Sequence, residues 1–184
     1  MFVCAGKMES FSFAKSIGVG LVQSALELSR LCLLEKPASL IFIGSAGTYD
    51  FDLPLLSLYK SAHAFQIEES FVTQHSYTPI ENALEIQTND FEALDLPPIK
   101  VNSSNYIHTN AEFARHMCHF GIALENMEFF SVLSVARAFN LPSFGIFCTT
   151  NRADQNAHAQ FLENHAKACA KLQAWVAQGN LCYT

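Results

Sequence analysis

With 184 residues, 50% of them hydrophobic and 15% charged, the chain has the composition of one compact globular domain, residues 1–184, with a sizeable core. A formal net charge of −6 and the lack of any basic run exclude a nucleic-acid binder that works through phosphate contacts. No apolar stretch reaches the roughly 18–20 residues of a membrane span, and "MFVCAG" is too short and wrongly flanked for a signal peptide.

"FVCAG" reads as a short buried strand ending in Gly6. "LVQSALELSRLCLLE" carries Leu21, Val22, Ala25, Leu26, Leu28, Leu31 and Leu33 at helical spacing, and Pro37 closes it. "SLIFIGSAG" predicts a buried strand that breaks into a small-residue turn. The tract through "AFQIEESFVTQ" reads as extended, on Phe65, Ile67, Phe71 and Val72. From about Tyr77 to Lys100 the pattern is mixed, with "LDLPPIK" as a breaker. "IKVNSS" is a short strand. "TNAEFARHMCHFG" is a helix with Thr109 and Glu112 as a capping box, Phe113, Met117 and Phe120 as its stripe, and Gly121 at its end. A helix follows Glu128 and stops near Asn140 and Pro142. "SFGIFCTTN" is a buried strand with a polar end. The last helix runs from about Asn156 to Gln178, with Phe161, Leu162, Cys169, Leu172 and Val176 facing inward.

Buried strands alternating with helices predict an α/β fold: three layers, with a central mixed, largely parallel twisted sheet flanked by helices. Ligands of such sheets bind where strands end. The polar residues there are Gly6 to Glu9, Gly44 to Gly47, Ser103 to Tyr106, and Thr149 to Asp154. In "GSAG" the small residues let backbone N–H groups approach a ligand oxygen, and Ser45 adds a hydroxyl; the same residues also suit an ordinary tight turn. In "ENME" the Glu128 carboxylate can accept two hydrogen bonds, which suits a ribose diol, or it can complement the start of the next helix, as can Glu125. Asn151 offers a donor and an acceptor to a purine, whereas Asp154 also fits a helix cap. Tyr106 can stack on a base or lie half-buried. His108, His116 and His119 lack the spacing and acidic partner of a metal site. The cysteines at 4, 32, 118, 148, 169 and 182 form no C-x-x-C pair and read as reduced, mostly buried thiols of a cytoplasmic protein.

Together and in order, "AGKME", "SIGVGLVQSAL", "LIFIGSAGTYD", "SSNYIHT", "GIALENMEFFSVLSVARAFNLP" and "GIFCTTNRADQNAHAQF" resemble the nucleoside phosphorylase and nucleosidase superfamily, over nearly the whole chain. The resemblance implies cleavage of the N-glycosidic bond of a purine nucleoside through an oxocarbenium-like sugar, with no metal or organic cofactor and with phosphate as a possible co-substrate. Glu128 would hold the ribose hydroxyls with Met127 against the sugar. Tyr106 would stack on the base. Gly44 and Ser45 would line the phosphate or water side. Asn151 stands where many members carry the acid that protonates N7, and Asp154 is the neighbouring carboxyl that could replace it.

Four departures matter. Asn151 cannot donate a proton as an acid does, although an amide can hydrogen-bond N7 and a 6-oxo group. "LIFIG" lacks the Arg that phosphorylases of the hexameric type place before the glycines, which leans toward hydrolysis. Glu9 falls slightly early for the water-activating Glu of nucleosidases, and Lys7 could instead serve an anion. Phe129 and Phe130 replace small residues, so they must reshape either the pocket or the helix packing. The chain also looks shorter than typical members, in the tract Tyr77 to Lys100. The expected protein is therefore a purine nucleoside phosphorylase or nucleosidase. The alternative is a diverged member that binds a nucleoside or nucleobase without efficient turnover, and a weaker third is an interaction protein that keeps only the fold. The 16 Phe and the apolar middle segment predict a homo-oligomer, a dimer or larger.

Overall fold

The computed structural model describes residues 1–179. Within them lie eight strands, β1 (Phe2–Cys4), β2 (Lys15–Ser16), β3 (Leu40–Thr48), β4 (Leu58–Phe65), β5 (Ala83–Glu85), β6 (Pro98–Ser103), β7 (Leu124–Asn126) and β8 (Ser143–Arg152). Six helices join them: α1 (Leu21–Glu35), α2 (Glu69–Val72), α3 (Asn89–Ala93), α4 (Ala111–His119), α5 (Phe129–Ala138) and α6 (Ala157–Ala177). Five of the eight strand pairings are parallel, so the sheet is mixed and largely parallel as expected. Its centre closes on itself: β3 pairs β7, β7 pairs β6, β6 pairs β4, β4 pairs β8, and β8 returns to β3. Strands β1 and β2 extend the sheet from β3, and β5 extends it from β4.

Period-two alternation on the two long central strands explains the layering. Phe42 and Phe147 face α1 and α5, where Leu28, Leu31, Val132 and Leu133 meet them. Ile41, Ile43, Phe144 and Ile146 point the other way, onto Ala168 and Leu172 of α6. Both strands are apolar on both faces because both faces are covered.

Several local expectations are corrected. "GSAG" does not turn: β3 continues through it to Thr48, with a register shift against β8 between Ala46 and Gly47. Phe71 and Val72 lie in or end the single helical turn α2 instead of a strand. The cap of α4 is Asn110, not Thr109, its side chain accepting from the Glu112 N–H at 2.9 Å. Asn caps as well as Thr, so the sequence offered two adjacent starts. Phe120 and Leu162 are exposed, not inward. On α1 the inward residues are Ser24, Leu28, Leu31 and Cys32, while Val22, Leu26 and Leu33 face out.

Phe129 and Phe130 reshape helix packing. Phe129 is fully buried behind the sheet, its ring 5.1 Å from Phe147 and 6.0 Å from Phe42. Gly145 makes this possible: a Cβ there would stand 2.6 Å from the Phe147 ring and 2.8 Å from Phe129. Phe130 is half-buried against the same core. Among the described residues Cys4, Cys32, Cys118, Cys148 and Cys169 are free thiols, and Cys182 lies outside them. No described helix is long and apolar enough to cross a membrane.

Candidate active site

A cavity of about 310 Å³ opens where β1, β6 and β7 end and where β3 and β8 shift register. The shift puts Ala46 opposite Thr149 and Gly47 opposite Asn151, so Thr150 is the extra residue. Such a bulge re-aims side chains. Here it brings both Thr150 and Asn151 onto the cavity wall.

Three buried carboxylates line this space, Glu9, Glu125 and Glu128. Glu9, in the loop after β1, accepts from the Ser45 N–H through Oε1. Burial pushes its carboxyl up to about 7, against the pull of that hydrogen bond. Glu128, at the start of α5, accepts from the Gly20 N–H at 3.0 Å through Oε1, and through Oε2 from Asn126 Nδ2 and the Met127 N–H, each at 3.2 Å. It makes no capping bond to its own helix. The carboxylate is instead held by the backbone ahead of α1, a helix N-terminus that favours negative charge. Burial again dominates and raises it to about 7, with the nearby Glu9 charge adding to the rise. Two carboxylates that resist ionising in the empty cavity are suited to a cationic guest.

Asn151 also lines the cavity and is 5% exposed. Thr150 Oγ1 donates to its Oδ1 at 2.9 Å, and its Nδ2 gives one hydrogen to the Arg152 carbonyl at 3.3 Å. Among the described residues the second amide hydrogen meets no acceptor, so it can serve a ligand. Gly47 keeps that approach open, since a Cβ there would stand 2.9 Å from Nδ2 and 3.1 Å from Glu125. Glu125 is held behind by His108 Nδ1 at 2.7 Å, a buried pair stacked on Phe113.

The structure thus brings Glu9, Ser45, Met127, Glu128, Tyr106 and Asn151 to one cavity. Tyr106 stands at the rim, 73% exposed. Two anticipated residues are placed elsewhere. Gly44 is not on the wall but beneath Glu9, where a Cβ would stand 2.7 Å from the Phe42 ring and 3.1 Å from Glu9 Oε2. Asp154 lies outside the lining and accepts from the Asn156 N–H at 2.7 Å, so it shapes the entry to α6. Sequence reading missed Phe161 and His165, which enter the wall from α6 one helical turn apart. That i, i+4 pair of an aromatic and a histidine was the available signal. Among the described residues Lys7 is the only Lys or Arg on the wall. One cluster of possible metal ligands exists among the described residues: single atoms of Glu9, His165 and Cys169 lie within 4.8 Å of one another.

The family model described as "Phosphorylase superfamily" matches residues 101–178. No curated protein sequence matches the chain. Among solved structures, the chain is similar to a futalosine hydrolase mutant of Helicobacter pylori strain 26695, with a TM-score of 0.82 and 16% identity over 96% of this chain and 95% of that one. It is also similar to a Helicobacter pylori methylthioadenosine/S-adenosylhomocysteine nucleosidase mutant with 5′-methylthioadenosine in the active site, with a TM-score of 0.78 and 19% identity over 89% of this chain and 77% of that one. The S. pneumoniae nucleosidase of the same kind, with a transition-state inhibitor, gives 0.79 and 15% identity over 97% and 96%. At these identities the likeness carries the fold. The near-complete coverage of the hydrolase leaves little of that fold missing here, despite the short tract before β6.

Proposed function

We propose that this chain, nucleoside phosphorylase- and nucleosidase-like in both sequence and fold, hydrolyses the N-glycosidic bond of a purine nucleoside. One observation carries the reading: Glu9 and Glu128, both buried, line a single cavity together with the Asn151 amide.

Glu128 accepts the ribose hydroxyls, exchanging a protein N–H for a sugar O–H at one of its oxygens. As C1′–N9 breaks, the electron pair moves to the base and positive charge grows on the sugar. Both carboxylates favour that cation in a water-poor space. Asn151 Nδ2 donates to N7 and to an O6 beside it, which stabilises the departing base without transferring a proton. An O6 accepts this hydrogen bond and an N6 amino group repels it, so the favoured base is a 6-oxopurine. A water then bonds C1′, gives its proton to Glu9, and the base takes a proton from solvent as it leaves. Phosphate fits less well. Among the described residues no Lys or Arg apart from the exposed Lys7 lines the wall, and "LIFIG" places only apolar side chains in β3.

We also place a second copy of the chain against α1. Val22, Leu26 and Leu33 lie within about 40° on one helical face, each more than 60% exposed. The rim residues Tyr106 and Ile107 are exposed as well, next to Asn105, whose Oδ1 accepts from the Leu21 N–H. A copy on this face would reach the mouth of the cavity.

Incubation with inosine, guanosine, adenosine and 5′-methylthioadenosine, with and without phosphate, decides the matter. Release of hypoxanthine or guanine that ignores phosphate is the expected result. Strictly phosphate-dependent release would make the protein a phosphorylase. Base binding with no release would favour the binder, a reading that the amide at position 151 keeps open.

A further inference from the structure

The cavity wall holds ionisable side chains that the proposed reaction leaves unused, Lys7, Glu125, His158 and His165, and of the two histidines His165 is the buried one. His165 is 7% exposed, sits on α6 opposite the loop that carries Glu9, and lines the cavity. Among the described residues its ring nitrogens meet one protein partner, Cys169 Sγ, 3.6 Å from Nε2 and one helical turn on. Phe161 packs on the ring from the turn before, with centroids 4.8 Å apart. The imidazole is therefore fixed in direction by its own helix while keeping polar capacity toward the cavity. A nitrogen of it lies within 4.8 Å of a Glu9 carboxylate oxygen, without a direct hydrogen bond.

A separation up to that limit leaves room for one bridging water. A water held at about 2.8 Å by each of two groups, at a roughly tetrahedral angle, sets them about 4.6 Å apart. Both groups reach the cavity, so such a water has an entry path.

We propose that His165 and Glu9 together hold the attacking water, with Glu9 taking its proton and His165 fixing its orientation toward C1′. The proposal rests on the nucleosidase reading and names a further residue of that same site. Water presents two hydrogens and two lone pairs. Glu9 binds one hydrogen, the imidazole nitrogen binds the second, and a lone pair is then aimed at the sugar. The bond formed is O–C1′ and the bond broken is C1′–N9. One water proton stays on the new sugar hydroxyl and the other goes to Glu9, so no oxidant or co-reactant enters. Burial lowers the affinity of His165 for a proton, which keeps the ring neutral and able to accept. Cys169 is a positioning residue that holds the ring from behind.

Steady-state kinetics of His165→Ala, His165→Gln and Cys169→Ala, with methanol as a competing nucleophile, tests this. His165→Ala should lower kcat by about 10- to 100-fold at nearly constant KM, and raise the ratio of methyl glycoside to free sugar several-fold. His165→Gln, which returns a polar atom at similar reach, should recover part of both. Cys169→Ala should fall between. Unchanged kcat and partitioning in a folded His165→Ala protein would overturn the proposal, as would one equivalent of tightly bound metal removed by the same substitution. Crystals of the wild-type protein supply a readout independent of turnover. An ordered water bridging Glu9 and His165, lost in His165→Ala, supports the assignment, and its absence in the wild-type protein overturns it. If no nucleoside is cleaved at all, the function reading fails by itself, and the water site is still decided by the crystals.

Discussion

At the scale of single residues, the argument turns on carboxylates that are buried yet incompletely neutralised. Glu128 illustrates the sign of the effect. Its folded pKa, about 7, is above the ordinary 4.5 because burial disfavours the anion. The stabilisation this brings is complete below the ordinary value and is lost as pH rises through about 7. The unliganded protein should therefore melt at a higher temperature at pH 5.5 than at pH 8. Glu128→Gln should reduce that difference by on the order of 2 kcal/mol, the share due to Glu9 remaining. A melting temperature that rises with pH in the wild-type protein would contradict the burial argument. The same substitution should cost about 10²-fold or more in kcat/KM, since the diol loses its charged acceptor. At Asn151 the test is one of choice between bases. Asn151→Asp should shift preference toward adenine nucleosides, because a protonated Asp donates to N7 while its other oxygen accepts from the N6 amino group. Ratios of kcat/KM for inosine and adenosine read this directly.

The same residues show what a sequence discloses. Glu128, Asn151 and Ser45 were legible because each adjoins a buried apolar run, Glu128 at its start and the other two at its end, where a polar group has few reasons to be. His165 was not, since a histidine in a long helix looks like any other until the opposite loop is known to arrive beside it. Asp154 and Thr109 went the other way: a helix start with two neighbouring polar residues leaves the choice of cap to geometry that no local pattern records.

At the scale of elements, Gly145 and α5 form one unit. The rings of Phe129 and Phe147 occupy the space that a Cβ on β8 would need. Gly145→Ala should destabilise the protein by about 1–3 kcal/mol through overpacking, seen as a drop of several degrees in Tm. The cost should shrink in the Phe129→Leu background, because the clashing ring is gone; strict additivity of the two changes would contradict a shared space. The pairing of helix and strand also explains why the two Phe residues leave the cavity intact. The helix turns them toward the sheet while the residue just before it, Glu128, faces the opening. Strand and helix existence was readable from apolar runs and spacing, whereas the continuation of β3 through "GSAG" was not. Small residues mark a turn and a bulged strand equally well, and the parallel partner β8 decides between them.

For the whole molecule, the unexplained quantity is apolar surface. α1 is apolar on two faces, and the sheet covers one of them. Light scattering should report a dimer, and Leu26→Glu should dissociate it while leaving the far-UV circular dichroism spectrum unchanged. If the dissociated form also binds nucleoside more weakly, the partner contributes to the rim near Tyr106. A monomeric wild-type protein at micromolar concentration would remove the assignment.

The closed circuit of β3, β7, β6, β4 and β8 bears on how a substrate gets in. A sheet with free edges can flex about its long axis, but a ring in which each strand is tied on both sides cannot open without breaking a ladder. Ser45, Asn126 and Asn151 are thereby a fixed floor, already in register before anything binds. Entry and exit then fall to the parts outside the ring: the segment from Gly6 to Ser10, the rim at Asn105 to His108, and the first turns of α6. Amide exchange should divide the molecule along that line, slow in β3 and β8 and fast in the three peripheral pieces, with a bound nucleoside slowing only the latter.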